Sequence, residues 1–276
     1  MFDTHCHLTN DALFGALEPV LQAAAQAGVH GMLTVSTDVD DAHRAMAVAN
    51  DHAQVWCTAG VHPSEAGRDH ELAGLQTVAE HPKCLAWGEL GLDNYWPEPS
   101  QDRQLALLEA ELEFIRAWDA NGGRAMPIVV HCRKALNDLL PRLQHSGING
   151  SRFVFHCFTD GPDEAQRILD FGAAISFTGV VTYPNAADIA TASDLVSMNR
   201  LMIETDAPYL SPQPVRKVRP NQPAHVRYTA EFLAARRGLT LDDFTTQADA
   251  TARTIYGFPP GSFPENSPVT PPGSPE

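Results

Sequence analysis

A single (β/α)8 TIM-type barrel is the fold class this sequence predicts, and three observations predict it. Short apolar or β-branched runs recur eight times, each followed by turn residues and then a helical pattern. The alternation is regular, which makes the strands parallel. The 276 residues accommodate eight such units in roughly 250, the size of one barrel. An open doubly wound sheet is the rival for this pattern, but no glycine-rich GxGxxG turn follows the first strand. A composition of 43% hydrophobic and 19% charged residues is ordinary for a globular chain and excludes disordered, collagen-like and coiled-coil classes.

In chain order, the first strand is expected at 2–7 and its helix at 11–27. Strand 31–36, the run Gly31-Met-Leu-Thr-Val-Ser36, leads to helix 39–51, strand 54–60 to helix 69–80, and strand 84–89 to helix 101–120. Strand 127–132 contains the β-branched core Ile128-Val-Val130 and precedes helix 133–145. Strands 152–157, 173–178 and 200–205 precede helices 162–170, 185–197 and 224–237, and a ninth helix is expected near 241–255. Residues 1–258 are therefore read as one barrel domain. Residues 259–276 are so rich in Pro, Ser and Gly that they are expected to form a disordered tail.

Lys and Arg number 19 against 34 Asp and Glu, a formal charge of −15. A chain so acidic does not hold nucleic acid on a broad basic surface, so a phosphate-bearing substrate must be captured locally, for example through bound metal. Cys6, Cys57, Cys84, Cys132 and Cys157 are sparse, odd in number and without CxxC spacing, which points to free thiols and an expected cytoplasmic location. No apolar run reaches the ~18 residues of a membrane span, and the start of the chain lacks a signal-peptide pattern. No membrane contact is expected, and no obligatory protein partner is implied.

Four histidines and two carboxylates fall at the C-terminal ends of expected strands, where barrel enzymes build their sites: His5, His7, Glu89, His131, His156 and Asp206. His5 and His7 lie two apart, so strand alternation points both into the mouth and turns Cys6 to the helix layer. The same reasoning turns Cys132 and Cys157 away from the mouth. A lone histidine is more often a satisfied core imidazole, but six ionisable groups gathered at strand ends need a counter-charge, which divalent cations supply. Imidazole and carboxylate without thiolate suit Zn²⁺, Mn²⁺ or, less comfortably, Mg²⁺. Of the remaining histidines, His62 in Gly60-Val-His-Pro63 opens toward the mouth, whereas His43, His52, His70, His81, His145 and His225 are expected at the surface. Glu204 is read as a buried structural carboxylate, and Asp206, nearer the mouth, as the better ligand or general base.

The motifs Asp3-Thr-His-Cys-His7, Gly60-Val-His-Pro63, Gly88-Glu-Leu-Gly-Leu-Asp93, His131-Cys-Arg133, His156-Cys-Phe158 and Glu204-Thr-Asp-Ala-Pro-Tyr-Leu210 resemble, in order, those of the TatD family of metal-dependent deoxyribonucleases in the amidohydrolase superfamily. The resemblance extends to about residue 257. It implies two divalent metals, one held by His5, His7 and Asp206 and the other by His131 and His156, with Glu89 bridging. It also implies that His62, Arg133 and the Asn221 region lie near the substrate phosphates. Two features depart from the family pattern: Gln222 stands where Glu is usual in an Asn-Glu-Pro motif, and Asn121-Gly-Gly-Arg124 is an unusual prelude to strand five.

Two metals ~3.5–4 Å apart activate water for in-line phosphoryl displacement. Asp206 would take the proton while Arg133 and the metals offset charge on phosphorus. The expected activity is 3′-5′ exonucleolytic hydrolysis of single-stranded DNA or DNA ends, the polarity resting on the resemblance alone. The only compact basic segment, Arg216-Lys-Val-Arg219, is a candidate for holding outer phosphates. The rivals are hydrolysis of another ester, such as aminoacyl-tRNA or a phosphomonoester, and a non-catalytic metal-binding protein. The second fits the ligand types poorly, because structural zinc sites are usually closed and Cys-rich.

Overall fold

The computed structural model describes residues 1–258, so the expected tail, 259–276, lies outside the described residues. Eight strands form one parallel sheet in sequence order: β1 (Phe2–Cys6), β2 (Gly31–Thr34), β3 (Val55–Ala59), β4 (Cys84–Asp93), β5 (Ile128–Arg133), β6 (Phe153–Phe155), β7 (Ala174–Phe177) and β8 (Leu201–Ile203). Between and after them lie α1 (Asp11–Phe14), α2 (Leu17–Gln26), α3 (Val39–Asp51), α4 (Leu75–Glu80), α5 (Gln101–Ala120), α6 (Leu136–His145), α7 (Pro162–Phe171), α8 (Ala187–Leu195), α9 (Val226–Arg236) and α10 (Leu241–Tyr256). The barrel closes just beyond β8, where Cys6 bridges Ala207 and His7 N donates to Ala207 O at 2.7 Å. The expected (β/α)8 class is the observed one.

The barrel interior is layered. Phe2, Leu33, Trp56, Leu85, Val129, Val154, Ala174 and Met202, one from each strand, form an apolar floor, and Ala252 and Tyr256 of α10 pack against it. Thr4, Ser176 and Glu204, all buried, meet above the floor, with Ser176 Oγ donating to Glu204 at 2.5 Å. The imidazoles and remaining carboxylates come next, at the rim. The opposite face of each strand packs under the helices in a larger apolar cluster that includes Cys6, Cys57, Ile128, Phe155 and Ile203. Burying a side chain of this size contributes ~1.5–3 kcal/mol.

Alternation alone does not produce this layering in two strands. Phe2 faces the floor and Cys6 the helices although both are even-numbered, and the β1–β2 register shifts between Asp3 and Cys6. The bulge allows Thr4 and His5 both to face inward. A second shift, between Trp87 and Leu90, turns Glu89 inward although Trp87 packs outward. Gly91, at φ +145°, then lets β4 run close against β5, because a Cβ there would lie 2.0 Å from His131 O.

Several expected elements differ in extent. The expected helix 11–27 is two helices, because Pro19 has no N–H to donate to Gly15 and is tolerated only in the first turn of α2. The expected helix 69–80 becomes α4 from Leu75 onward, where Leu75, Val78 and Ala79 supply its buried face. Strand β4 continues four residues past 89, and α6 starts at Leu136 because Arg133 still belongs to β5 and Lys134 has φ +54°. Cys157 is a correction. It lies beyond β6 at φ +48°, outside the helix-facing cluster, with Sγ 3.7 Å from Thr178 Oγ1 and its amide donating to Glu204 at 2.6 Å. No described helix is long and apolar enough to cross a membrane.

Candidate metal centre

Six strand ends deliver the cluster. β1 brings His5 and His7, β4 Glu89, β5 His131, and the segments just past β6 and β8 bring His156 and Asp206. His62 arrives from the turn after β3, where its Nδ1 accepts from Ser64 N at 3.0 Å. All six residues expected from the strand ends therefore meet.

Two donor groups are centred on different ligands. His5 Nε2, His7 Nε2 and Asp206 Oδ1 are separated by 3.3, 3.3 and 3.7 Å. The edge of a tetrahedron with metal–ligand bonds of ~2.0–2.1 Å is about 3.4 Å, so this triangle has the shape of one face of a four-coordinate site. Around Glu89 Oε1 lie His156 Nε2 at 2.6 Å, His131 Nδ1 at 2.7 Å and His62 Nε2 at 3.6 Å. His131 Nδ1 and His156 Nε2 are 3.4 Å apart. Glu89 Oε2 reaches toward the first group, 3.3 Å from His5 Nε2. His62 also forms a candidate donor triangle with Glu89 and His131, so it belongs with the possible ligands and not only beside the substrate.

The electrostatics favour bound positive charge. Burial alone would raise the Glu89 carboxyl, but His156, His62 and His5 and the His131 hydrogen bond hold it well below the usual range. Burial likewise opposes charge on Asp206, and the His7 hydrogen bond and the neighbouring imidazoles overcome it. Burial depresses His156, yet Glu89 and Glu204 drive it well above an ordinary imidazole, and Asp93 and Glu89 raise His131 in the same way. Burial pushes His62 down to about 3. The buried carboxylates raise His7, His131 and His156 while burial lowers His5 and His62, so the cluster combines carboxylate charge with imidazole donors, a chemistry that fits divalent cations.

Sequence reasoning missed two supporting residues. Asp93 Oδ2 lies 3.1 Å from His131 Nε2 and Oδ1 accepts from Tyr95 N at 2.9 Å, so one carboxylate orients the imidazole and the next loop. Asp93 stands in the motif quoted above, and a carboxylate two strand positions past 91 was the available signal. Glu111, on α5, accepts from Val61 N at 2.8 Å and fixes the turn that carries His62. No local pattern marks it. Glu204 is the buried structural carboxylate expected, held by Ser176, Cys157 N and His156.

Arg133 stands at the rim, half exposed, with its guanidinium 3.8 Å from the centre of the Tyr95 ring. Asn221 lies in the loop after β8. Its side chain is fully buried, donating to Thr205 O and Tyr209 O and accepting from Gln222 N, so it fastens that loop. Arg219 is likewise engaged, with Ser211 Oγ and the carbonyls of Arg216 and Val218. Beside His7 and His62, a cavity of about 320 Å³ is bounded by Asn10, Thr37, Arg44, Ser64 and Tyr209.

The fold and its buried imidazole–carboxylate cluster define a metal-dependent hydrolase barrel. The family model described as TatD related DNase matches residues 2–257, and the chain belongs to that family. It is 30% identical over 258 residues to the uncharacterized metal-dependent hydrolase YabD of Bacillus subtilis, covering 93% of this chain and 98% of that one. It is 33% identical over 267 residues to the 3′-5′ ssDNA/RNA exonuclease TatD of Klebsiella pneumoniae, covering 94% and 98%. The solved structure of YJJV, a TatD homologue from Escherichia coli K12, matches with a TM-score of 0.85 at 27% identity, covering 94% of this chain and 98% of that one.

Proposed function

We propose that this hydrolase removes nucleotides from the 3′ end of single-stranded DNA, using two divalent cations. In this reading His5, His7 and Asp206 would hold one cation and His131 and His156 the other, with Glu89 between the two groups. The observation that carries it is the position of Glu89, whose two oxygens face the two donor groups at 3.3 Å and 2.6–2.7 Å. Its support is the relative named as a 3′-5′ ssDNA/RNA exonuclease. Cations bound there would supply Lewis acidity and a water of lowered pKa.

The chain's own groups do the rest. Asp206, kept ionised by His7 and His5, accepts the proton of the attacking water. Arg133 offsets charge on the phosphorane oxygens, and Asp93 holds His131 in place through its Nε2. Glu111 holds the His62 turn and Asn221 the loop after β8, both as positioning residues. Gripping a strand end through cations reconciles a phosphate-bearing substrate with a charge of −15.

The test is a comparison of labelled linear single-stranded DNA, the same strand closed into a circle, an aminoacyl ester and a phosphomonoester, each with manganese- and zinc-loaded protein. Rapid shortening of the linear strand from its 3′ end, with the circle resistant, is expected. Circle cutting at the linear rate overturns end recognition, and preferential turnover of the ester or monoester overturns the nuclease reading.

A further inference from the structure

Strand β4 does not stop at the rim. It continues past Glu89 to Asp93, and Asp93 pairs in register with Arg133 of β5. After Asn94 come two aromatic residues that are among the most exposed large side chains of the described chain: Tyr95 at 44% and Trp96 at 59%. Their rings stand perpendicular, with centroids 4.8 Å apart. Arg133 covers Tyr95 at 3.8 Å, and Lys134 Nζ lies 5.0 Å from the same ring. In a chain of net charge −15, two cations beside two exposed aromatic rings form a local patch of a different kind.

The patch is tied to the metal centre. Asp93 accepts from Tyr95 N through one oxygen and faces His131 Nε2 with the other, while Asn94 N donates to Arg133 O at 2.9 Å. Also beside the centre, next to His7 and His62, lies the half-open cavity of about 320 Å³. A phosphate at Glu89 would thus have both this cavity and the exposed aromatic shelf beside it. The occupant suited to the shelf has an aromatic face and an anion one bond-chain away, which is the chemistry of a nucleotide within a strand. Stacking on an aromatic ring accepts any base, because every base has a π face, and flanking Arg and Lys take the backbone phosphate.

We infer that Trp96, buttressed by Tyr95, stacks a nucleobase of the single-stranded substrate next to the scissile phosphate, while Arg133 and Lys134 take its phosphate. This deepens the proposed nuclease function and rests on it. Trp96 is a binding residue here and contributes nothing to the bond-making step.

Fluorescence and kinetics together test it. Trp56 and Trp87 are buried, and Trp118 is fixed by a bond from Nε1 to Arg124 O, so quenching by a stacked base reports on Trp96. Manganese-loaded protein is titrated with a short phosphorothioate oligothymidylate and with an abasic strand carrying the same phosphates. Quenching by the first and not the second is expected. Trp96→Ala should abolish the quench and raise KM for the unmodified oligonucleotide about five- to fiftyfold with kcat within about twofold. Trp96→Phe should restore most of the affinity, and KM for the abasic strand, which offers no ring to stack, should stay within about twofold of wild type in Trp96→Ala. Equal binding of the abasic strand, or an unaltered oligonucleotide KM in Trp96→Ala, overturns the shelf and leaves the nuclease reading standing. Failure of wild-type protein to shorten any strand while it hydrolyses other esters overturns the nuclease reading, and the shelf with it.

Discussion

Replacing Glu89 by Gln removes one negative charge from the middle of the cluster and changes almost no volume. Nitrogens of His156, His131, His5 and His62 lie 2.6, 2.7, 3.3 and 3.6 Å from its oxygens. A pair of unit charges about 3 Å apart interacts by ~5 kcal/mol at an effective dielectric constant of ~20. At ~1.4 kcal/mol per decade, losing that attraction weakens cation binding by about a thousandfold or more. An amide also presents an N–H₂ to one donor group, where it repels a cation instead of binding it. The assay is metal content after dialysis, together with kcat/KM for bis(p-nitrophenyl) phosphate across a manganese titration, with circular dichroism to confirm the fold. Metal content should fall toward one ion or none per chain and activity by at least about a hundredfold. Retention of more than about a tenth of wild-type activity, only ~1.4 kcal/mol of barrier, would refute the bridging role.

The other predictions concern supporting residues. Asp93→Asn should cost about ten- to a hundredfold in metal affinity or kcat/KM with the fold intact, since it weakens the hold on His131 Nε2; metal titration checks this, and wild-type affinity contradicts it. Burial raises the Glu111 carboxyl well above the ordinary range, only partly offset by the Val61 N–H. The native chain thus keeps a proton that the unfolded chain releases, and this stabilisation is complete below the ordinary carboxylate pKa and is lost as pH rises toward the folded value. Thermal melts of Glu111→Gln should therefore gain on wild type as pH rises from about 5 to 8, and a pH-independent difference contradicts the argument. Gly91→Ala should lower Tm sharply and cost ~2 kcal/mol or more, because its Cβ meets His131 O at 2.0 Å. Cys6→Ala, which empties part of the helix-facing layer, should cost ~1–2 kcal/mol and leave the rate per folded molecule unchanged; loss of metal in that variant would contradict the outward placement.

The eight strands were legible because each buries an apolar run between floor and helices, and such runs stand out from the polar turns around them. The residues of the cluster were legible for the same reason: His131 follows Ile128-Val-Val130, and a charged or imidazole side chain at the end of such a run turns to the mouth. The bulges were not legible. Strict alternation from Phe2 would turn His5 outward, and only the register shift between Asp3 and Cys6 brings it in. Cys157 was misplaced because β6 ends at Phe155 and alternation no longer governs the backbone there. Glu111 was invisible because its partner Val61 is 50 residues away, and a buried carboxylate on a helix leaves no trace in a periodicity. The buried hydrogen bonds of Asn221 to Thr205 O and Tyr209 O were not legible either, because they depend on how the loop after β8 folds back.

The proposed mechanism needs two cations sharing Glu89 at the mouth of the barrel. Anomalous diffraction from crystals of active, manganese-loaded protein tests it most directly. Two peaks are expected, one among His5, His7 and Asp206 and the other beside His131 and His156, with one Glu89 oxygen toward each. A single peak in fully active protein, or two peaks of which neither touches Glu89, would contradict it.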